Sequence, residues 1–548
     1  MTVYEVRQGA AGAGGSLPSL RAAAQIARPG DVFNVYPGVY REMVPISAPN
    51  TTWRSVVPHK AILDGGYGWK LGSHGTLTAA PSMPVPGPSH LPTGADSERR
   101  NAMVTINAPG VVWEGFCIQN VAGEGVTVLE PNVTVRGCAF YCLYGTAVQC
   151  NDTAQRNTHH VTVEDCDIVW TSLRTFALGE TEASGAIKFG NTGAGNAIRN
   201  CRLWLACGEG FNIGKRTKAT AADPFVVEGC TLHDTNHTSL YAVQAEHVTF
   251  SGNVVVFHEN VNPFTKAGRK AGAAALRIKD ENSKTAPTNS RGIRFIGNLA
   301  VNGRLLIETG GDDITQYECA AYDNTLISGP YTLKGVSLID GSNDQGTEVD
   351  YQRNVVHWGR HLSDAVGIAD GPRTRCTFAD NYWSEAPPAS HRGAGDVYGP
   401  LGLTNPDAPI VASGDAFCES WAEWQERGLR SSFDLSNYRP AGGSPLIVDG
   451  RAVAGALGPD GPNPPPPPPP PDPDAVDWDA LRGMITTAAA RLASSQANVT
   501  EAQRHTDGAA VLLGLAMVRL ADAQQGQADA ATEIAALLAK MNEHEQAA

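Results

Sequence analysis

One eight-residue frame returns through the middle of this chain and leaves few folds open to it. It reads apolar, any, apolar, any, any, Cys or Asn, any, apolar. Its clearest copies are Val133-Thr134-Val135-Arg136-Gly137-Cys138-Ala139-Phe140 and Val161-Thr162-Val163-Glu164-Asp165-Cys166-Asp167-Ile168. The slot recurs at Cys201, Cys230, Asn253 and Asn298, weaker copies centre on Cys319, Asn354 and Asn381, and Phe116 fills it once upstream. Slot-to-slot steps are 22, 28, 35, 29, 23, 45, 21, 35 and 27 residues. A common minimum with variable excess is what stacked coils give when loops are inserted into them. Each copy alternates apolar and polar residues and so predicts a strand with one buried face. A lone strand cannot bury that face, whereas identical strands stacked in register can.

The shortest steps accommodate three short strands and three turns, one rung of a right-handed parallel β-helix. The regularity of the frame favours this over a β-sandwich. In a solenoid of this kind the slots superpose. The cysteines then form a column of small apolar fillers, and the asparagines hydrogen-bond along the axis at a bend.

The N-terminal stretch Leu17-Pro18-Ser19-Leu20-Arg21-Ala22-Ala23-Ala24-Gln25-Ile26 carries apolar residues at helical spacing and ends before Pro29-Gly30-Asp31, which predicts a short amphipathic helix. An alternating strand follows through Val35, closed by the Pro37-Gly38 turn. Together with Val39-Tyr40 and Ala61-Ile62-Leu63-Asp64-Gly65, this order resembles the N-terminal cap and first coil of pectate-lyase-like right-handed β-helix proteins. The resemblance covers about residues 1 to 460 and implies an all-β, right-handed parallel β-helix with an N-terminal capping helix. It constrains activity little, because lyases, hydrolases, epimerases, adhesins and phage tail proteins share this architecture.

We expect the cap and first coils over 1–70, an inserted Gly/Pro/Ser-rich loop over 71–100, repeats over 101–384 and a closing region over 385–460. A linker over 461–474 contains eight consecutive prolines, Pro464 to Pro471, which form a polyproline II rod of roughly 25 Å. Residues 475–548 lose all strand character. Alternating steps of three and four place Trp478, Leu481, Ile485, Leu492, Val499, Leu513, Leu520, Ile534, Leu537 and Met541 on one stripe, the pattern of a coiled-coil helix. A stripe with no partner in its own helix predicts self-association or docking onto another protein, and a tail protein with such a segment is expected to be a homotrimer. A helical hairpin broken near Asp507-Gly508 is the competing arrangement.

The formal net charge of −14 argues against a nucleic-acid partner. The eleven cysteines mostly occupy the buried slot, so we read them as reduced thiols of a chain that folds in cytosol. Met1 to Arg7 lacks a basic start followed by an apolar run, and the most apolar stretch, Ala509 to Ala521, is too short to span a membrane and contains Arg519.

Candidate chemistry is sparse. The stretch Leu276-Arg277-Ile278-Lys279-Asp280, followed by Gly292 to Asn298, is similar in order to the segment of the alginate lyase and chondroitinase B family that holds its catalytic base, which implies that role for Lys279. That family places an Arg one coil later, where this chain has Glu308, and a carboxylate there repels an acidic substrate. A glycosidase pair would draw on Glu308, Asp312, Asp313, Asp340 or Asp344, all in turn-rich sequence. His233 and His237 stand four apart around Asp234 but in a strand-and-turn context, which is weak for zinc. No cofactor or metal is expected.

A phage tail protein accounts together for a β-helix with free buried thiols, a polyproline rod and a heptad helix, and the Ala/Gly/Pro bias and proline run resemble minor tail proteins of phages infecting high-GC actinobacteria. That resemblance implies a virion protein (minor tail protein, tail fibre or tailspike) folded in host cytoplasm, meeting host envelope glycan and joined to other tail proteins through its C-terminal helix. The alternative is a phage-borne polysaccharide depolymerase, a glycoside hydrolase or lyase.

Overall fold

The recurring frame folds as two strands and the bend between them, not as one strand. The computed structural model describes residues 1–462 apart from 10–15, 67–68, 72–76, 80–101, 152–157, 174–184, 215–216, 262–273, 281–289, 312–315, 333, 341–346, 359–365, 369–375, 388, 390–391, 417, 449–450, 453–454, 456 and 459–460. In the copy centred on Cys138, the strand Thr134–Arg136 belongs to one sheet and Ala139–Leu143 to the next. The residue just before each slot has positive φ: Gly115, Gly137, Asp165, Asn200, Gly229, Gly252, Gly297, Asp323, Arg353 and Asp380. That conformation costs an ordinary residue roughly 1–2 kcal/mol, so Gly, Asp or Asn fills every one of these positions except Arg353. The Arg353 guanidinium is held by a fork onto Asp323 one coil earlier, with Nε to Oδ1 and Nη2 to Oδ2 both 2.9 Å.

Like strands stack in parallel into sheets of 13, 13 and 11 strands among the described residues. The first sheet starts at Val3–Val6, the second at Gly38–Tyr40 and the third at Val44–Ile46. Register holds from coil to coil, so Val163, Ile198, Val227, Phe250 and Phe295 align and fill the interior. The product is a parallel β-helix with one continuous apolar core.

After Phe116 the slot column runs through four thiols and then five amides. Cys138, Cys166, Cys201 and Cys230 lie with Sγ 3.7 to 3.9 Å from a carbonyl of the preceding coil. From Asn253 onward, each amide donates to such a carbonyl and to the next amide oxygen: Asn253 to Asn298, Asn298 to Asn324, Asn324 to Asn354 and Asn354 to Asn381. The copy expected at Cys319 is therefore centred on Asn324; Cys319 lies in the middle of the strand Gln316–Tyr322 and pairs with Val349. A cysteine marks a buried position wherever it falls on a strand, so residue type alone does not distinguish Cys319 from the slot. All eleven cysteines are free thiols and nine are buried, and burial pushes the Cys150 and Cys207 thiols well above their ordinary range.

The N-terminal helix α1 (Leu20–Ile26) forms as expected, with the Ser19 hydroxyl accepting from the Ala22 N–H at its start and Leu20 and Ala23 in the core. Residues 401–446 do not add further coils to the stack. They run back along the outer face of the second sheet and return. Outbound, Asp407 meets His357, Ile410 meets Glu259, Ala412 meets Asn260, and the Cys418 carbonyl accepts from the Tyr141 hydroxyl. A helix α2 (Trp421–Arg427) makes the reversal, with its Trp421 N–H on the Gln119 side chain. On the return, Tyr438 packs with Val256 and Leu299, and Leu446 with Val355. This strap explains why outward residues of the second sheet such as Tyr141 and Val169 are apolar and buried.

The chain divides into two compact units, Met1–Pro465 and Pro466–Ala548. The whole proline run, the heptad positions from Trp478 to Met541 and most of the insertion over 71–100 lie outside the described residues.

Candidate functional site on the third sheet

Along the third sheet a run of outward positions in one column is polar throughout and ends in two charged residues. Register links Thr127 to Gln149, Lys188, Asn212, Tyr241, Arg277 and Glu308. Their neighbours at plus or minus one, such as Phe211, Ile213, Leu240, Leu276 and Ile278, are in the core, and strand alternation therefore turns the column away from it. Most of these outward groups are nonetheless buried, including Gln149, Asn212, Tyr241, Arg277 and Glu308.

Arg277 and Glu308 form a buried ion pair, Nε to Oε2 2.7 Å. Those two atoms approach without an aligned hydrogen bond, and the remaining contacts, Nη2 to Glu308 Oε1 and Nη1 to Thr238 Oγ1, are both 3.5 Å. The guanidinium carbon also lies 5.5 Å from the Tyr241 ring centre, within cation–π range. Burial pushes the Glu308 carboxyl above its ordinary value, against the pull of Arg277, Lys279 and His237. Beside this pair, Asn212 donates to the buried Glu209, and His237 Nδ1 stands 3.5 Å from the other Glu209 oxygen.

Lys279 shares the outward side of its strand with Arg277 and is half-buried, in register with Val243 and Gly310. The cation adjoining Glu308 is thus Arg277, one coil before it, a residue that the sequence order did not single out. Glu308 pairs in register with Ser337, whereas Asp340 pairs with Gly311. The two positions are offset by three residues, about 10 Å along the strand at ~3.3 Å per residue. Asp312, Asp313 and Asp344 lie outside the described residues.

His233 and His237 diverge. His233 lies on the outer face of the second sheet, stacked 4.1 Å from Trp204, while His237 faces Glu209. Among the described residues, no group of three His, Cys, Asp or Glu could hold a metal ion, and no helix is long and apolar enough to cross a membrane.

Burial and the neighbouring His258 push the His233 imidazole down to about 3, from an ordinary value of 6.5. Below pH 6.5 the unfolded chain takes up a proton that folded His233 refuses, so stability falls as pH drops from 6.5 towards 3. Between pH 6.5 and 5 this single group should cost about 2 kcal/mol. Urea midpoints should show that acid limb in the native chain and its loss in His233→Phe, which keeps an aromatic ring on Trp204. An unchanged limb in the variant would assign the acid sensitivity elsewhere.

No family model and no curated protein matches this sequence. Similar solved structures include a pectate lyase, 12% identical over 68% of this chain and 79% of that one, with a TM-score of 0.36. The Dettilon tailspike protein is 11% identical over 70% of this chain and 65% of its own, TM-score 0.40. A mannuronic acid specific polysaccharide family 6 lyase from human gut microbiota is 11% identical over 73% and 92%, TM-score 0.44. What places this chain among the all-β parallel β-helix proteins is its own topology, three parallel sheets wound coil on coil.

Proposed function

We propose that this chain is a structural component of a bacteriophage tail, a minor tail protein, tail fibre or tailspike, and that it meets host-surface glycan through the outer face of its third sheet. The observation that carries the glycan reading is the polar column itself. Lys188 and Lys279 stand half-buried on this face among the buried Asn212, Tyr241 and Arg277, and strand spacing sets successive members of the column about 4.8 Å apart along the axis. An extended, repeating ligand suits such a ladder better than a compact one. Eleven free thiols favour folding in a reducing compartment, and the proline run and heptad stripe favour an oligomerising or attaching C-terminal segment.

Calorimetric titration with purified host envelope polysaccharide tests this reading. Lys279→Ala and Lys188→Ala are each expected to weaken binding about tenfold, the loss of one charge-assisted contact, with unchanged melting. Full binding by the double variant would exclude this face. A specific observation also favours the depolymerase as a second reading: Glu308 has the raised carboxyl that a general acid needs. Release of reducing sugar, or new ultraviolet absorbance from unsaturated product, would identify that activity.

A further inference from the structure

On the other side of the molecule, the strap brings a serine to a buried histidine. His258 Nδ1 lies 2.6 Å from Asp234 Oδ2, and the His258 backbone N–H donates to Asp234 Oδ1 at 2.8 Å. His258 Nε2 lies 2.5 Å from Ser431 Oγ, supplied by the return run of the strap 173 residues away. His258 and Asp234 are wholly buried, whereas Ser431 is part-exposed and lines a cleft of about 310 Å³. We propose that Ser431, His258 and Asp234 form a nucleophile, base and orienting acid, and that this cleft hydrolyses a small, uncharged O-acyl ester.

Proton placement follows from the partners. The Asp234 carboxylate only accepts, so a neutral His258 carries its proton on Nδ1 and leaves the Nε2 lone pair for the Ser431 hydroxyl. Ser431 Oγ already accepts the Phe433 N–H at 3.0 Å, which agrees with its own proton pointing at His258. The imidazole is held in plane by Trp204, stacked 5.4 Å away at 12°, and by His233 at 5.4 Å. Ser432 N donates to Val411 O, so the Ser431–Ala412 pair is the non-bonded kind. The Ser431 N–H therefore points out of the two-stranded ladder, free to face an oxyanion.

The cleft also states what it takes. Its walls include the indoles of Trp204, Trp421 and Trp424. Arg202 is engaged by Asp167 through a fork of 2.6 and 2.8 Å. Arg430 is tied to the carbonyls of Gly428 and Gln425 at the end of α2. Both cations are thus committed within the protein, which favours a neutral ester over an acidic one.

In the first half-reaction Ser431 Oγ bonds to the acyl carbon while its proton passes to His258 Nε2. The ester C–O bond breaks, and His258 returns the proton to the leaving alkoxide. Water then attacks the acyl-serine, giving its proton to His258, which passes it back to Ser431 Oγ as the carboxylic acid departs. One ester and one water yield one acid and one alcohol. Asp234 is the positioning residue. This activity is independent of glycan attachment, and either can fail without the other.

Full-length protein should hydrolyse p-nitrophenyl acetate, and Ser431→Ala should lower kcat/KM by about 10³-fold with unchanged circular dichroism. A fluorophosphonate should add one mass label, on the Ser431 peptide. Asp234→Asn should lower kcat while leaving KM in place, a split that simple loosening of the cleft would not give. Turnover no faster than in Ser431→Ala, or a label absent or on another residue, overturns the proposal; the labelling arm needs no variant and so stands even if a substitution disturbs folding.

Discussion

Asn298→Ala is expected to lower the free energy of unfolding by about 3–5 kcal/mol, several times the effect of emptying a thiol slot in the same column. The Asn298 oxygen accepts from both the backbone N–H and the amide of Asn253, each at 3.0 Å, and its amide donates to Phe250 O and Asn324 Oδ1. Asn253, Asn298 and Asn324 are completely buried. Alanine leaves two donors and a carbonyl without partners where water does not reach, and each orphaned group costs about 1–3 kcal/mol. Cys166→Ala removes one polarizable atom whose contacts to carbonyls are weak, so about 1 kcal/mol is expected there. Urea midpoints of the two variants, compared with the native chain, decide the matter. Equal shifts would mean that the amide ladder contributes no more than packing.

The second large effect is at the third sheet. Arg277→Ala should destabilise by about 3–5 kcal/mol at pH 7, because it strands the Glu308 carboxylate in a buried site. Burial already raises that carboxyl, and Arg277 is the foremost group holding it down. In the variant the folded-state value rises further above the unfolded one. Its contribution is then most favourable below the ordinary 4.5 and is lost as pH rises through the folded value. The variant should therefore recover relative to the native chain as pH falls from 7 towards 4.5. Arg277→Met combined with Glu308→Gln should restore most of the loss at pH 7, since a buried pair is dearer to break than to replace. A pH-independent loss in Arg277→Ala would instead trace the effect to lost packing over Tyr241.

Much of the architecture is legible in the sequence. The Cys and Asn slots mark the coils, but the frame by itself predicts one strand, and the left-handed residue just before each slot is seen only in the folded chain. Side-chain periodicity is the same on either side of a sharp bend, so alternation alone does not reveal the corner. Residue type alone likewise leaves both Cys319 and Asn324 open as the slot, since each is buried. Which residues share an outward column was not legible, because the inserted loops shift the sequence distance between neighbours: Asn212 to Tyr241 is 29 residues, Tyr241 to Arg277 is 36 and Arg277 to Glu308 is 31.

The chain's local pattern was enough to determine a stacked β-helix with free thiols and an amide ladder, because burial of one strand face and pairing of each slot with its copy are short-range, repeating requirements. Only the tertiary structure decided that the strap folds back over the second sheet, that Arg277 meets Glu308, and that Ser431 meets His258. Those contacts join residues with no common period. They depend on where an irregular segment finds apolar surface to cover, which is settled by three-dimensional packing and leaves no trace in local alternation.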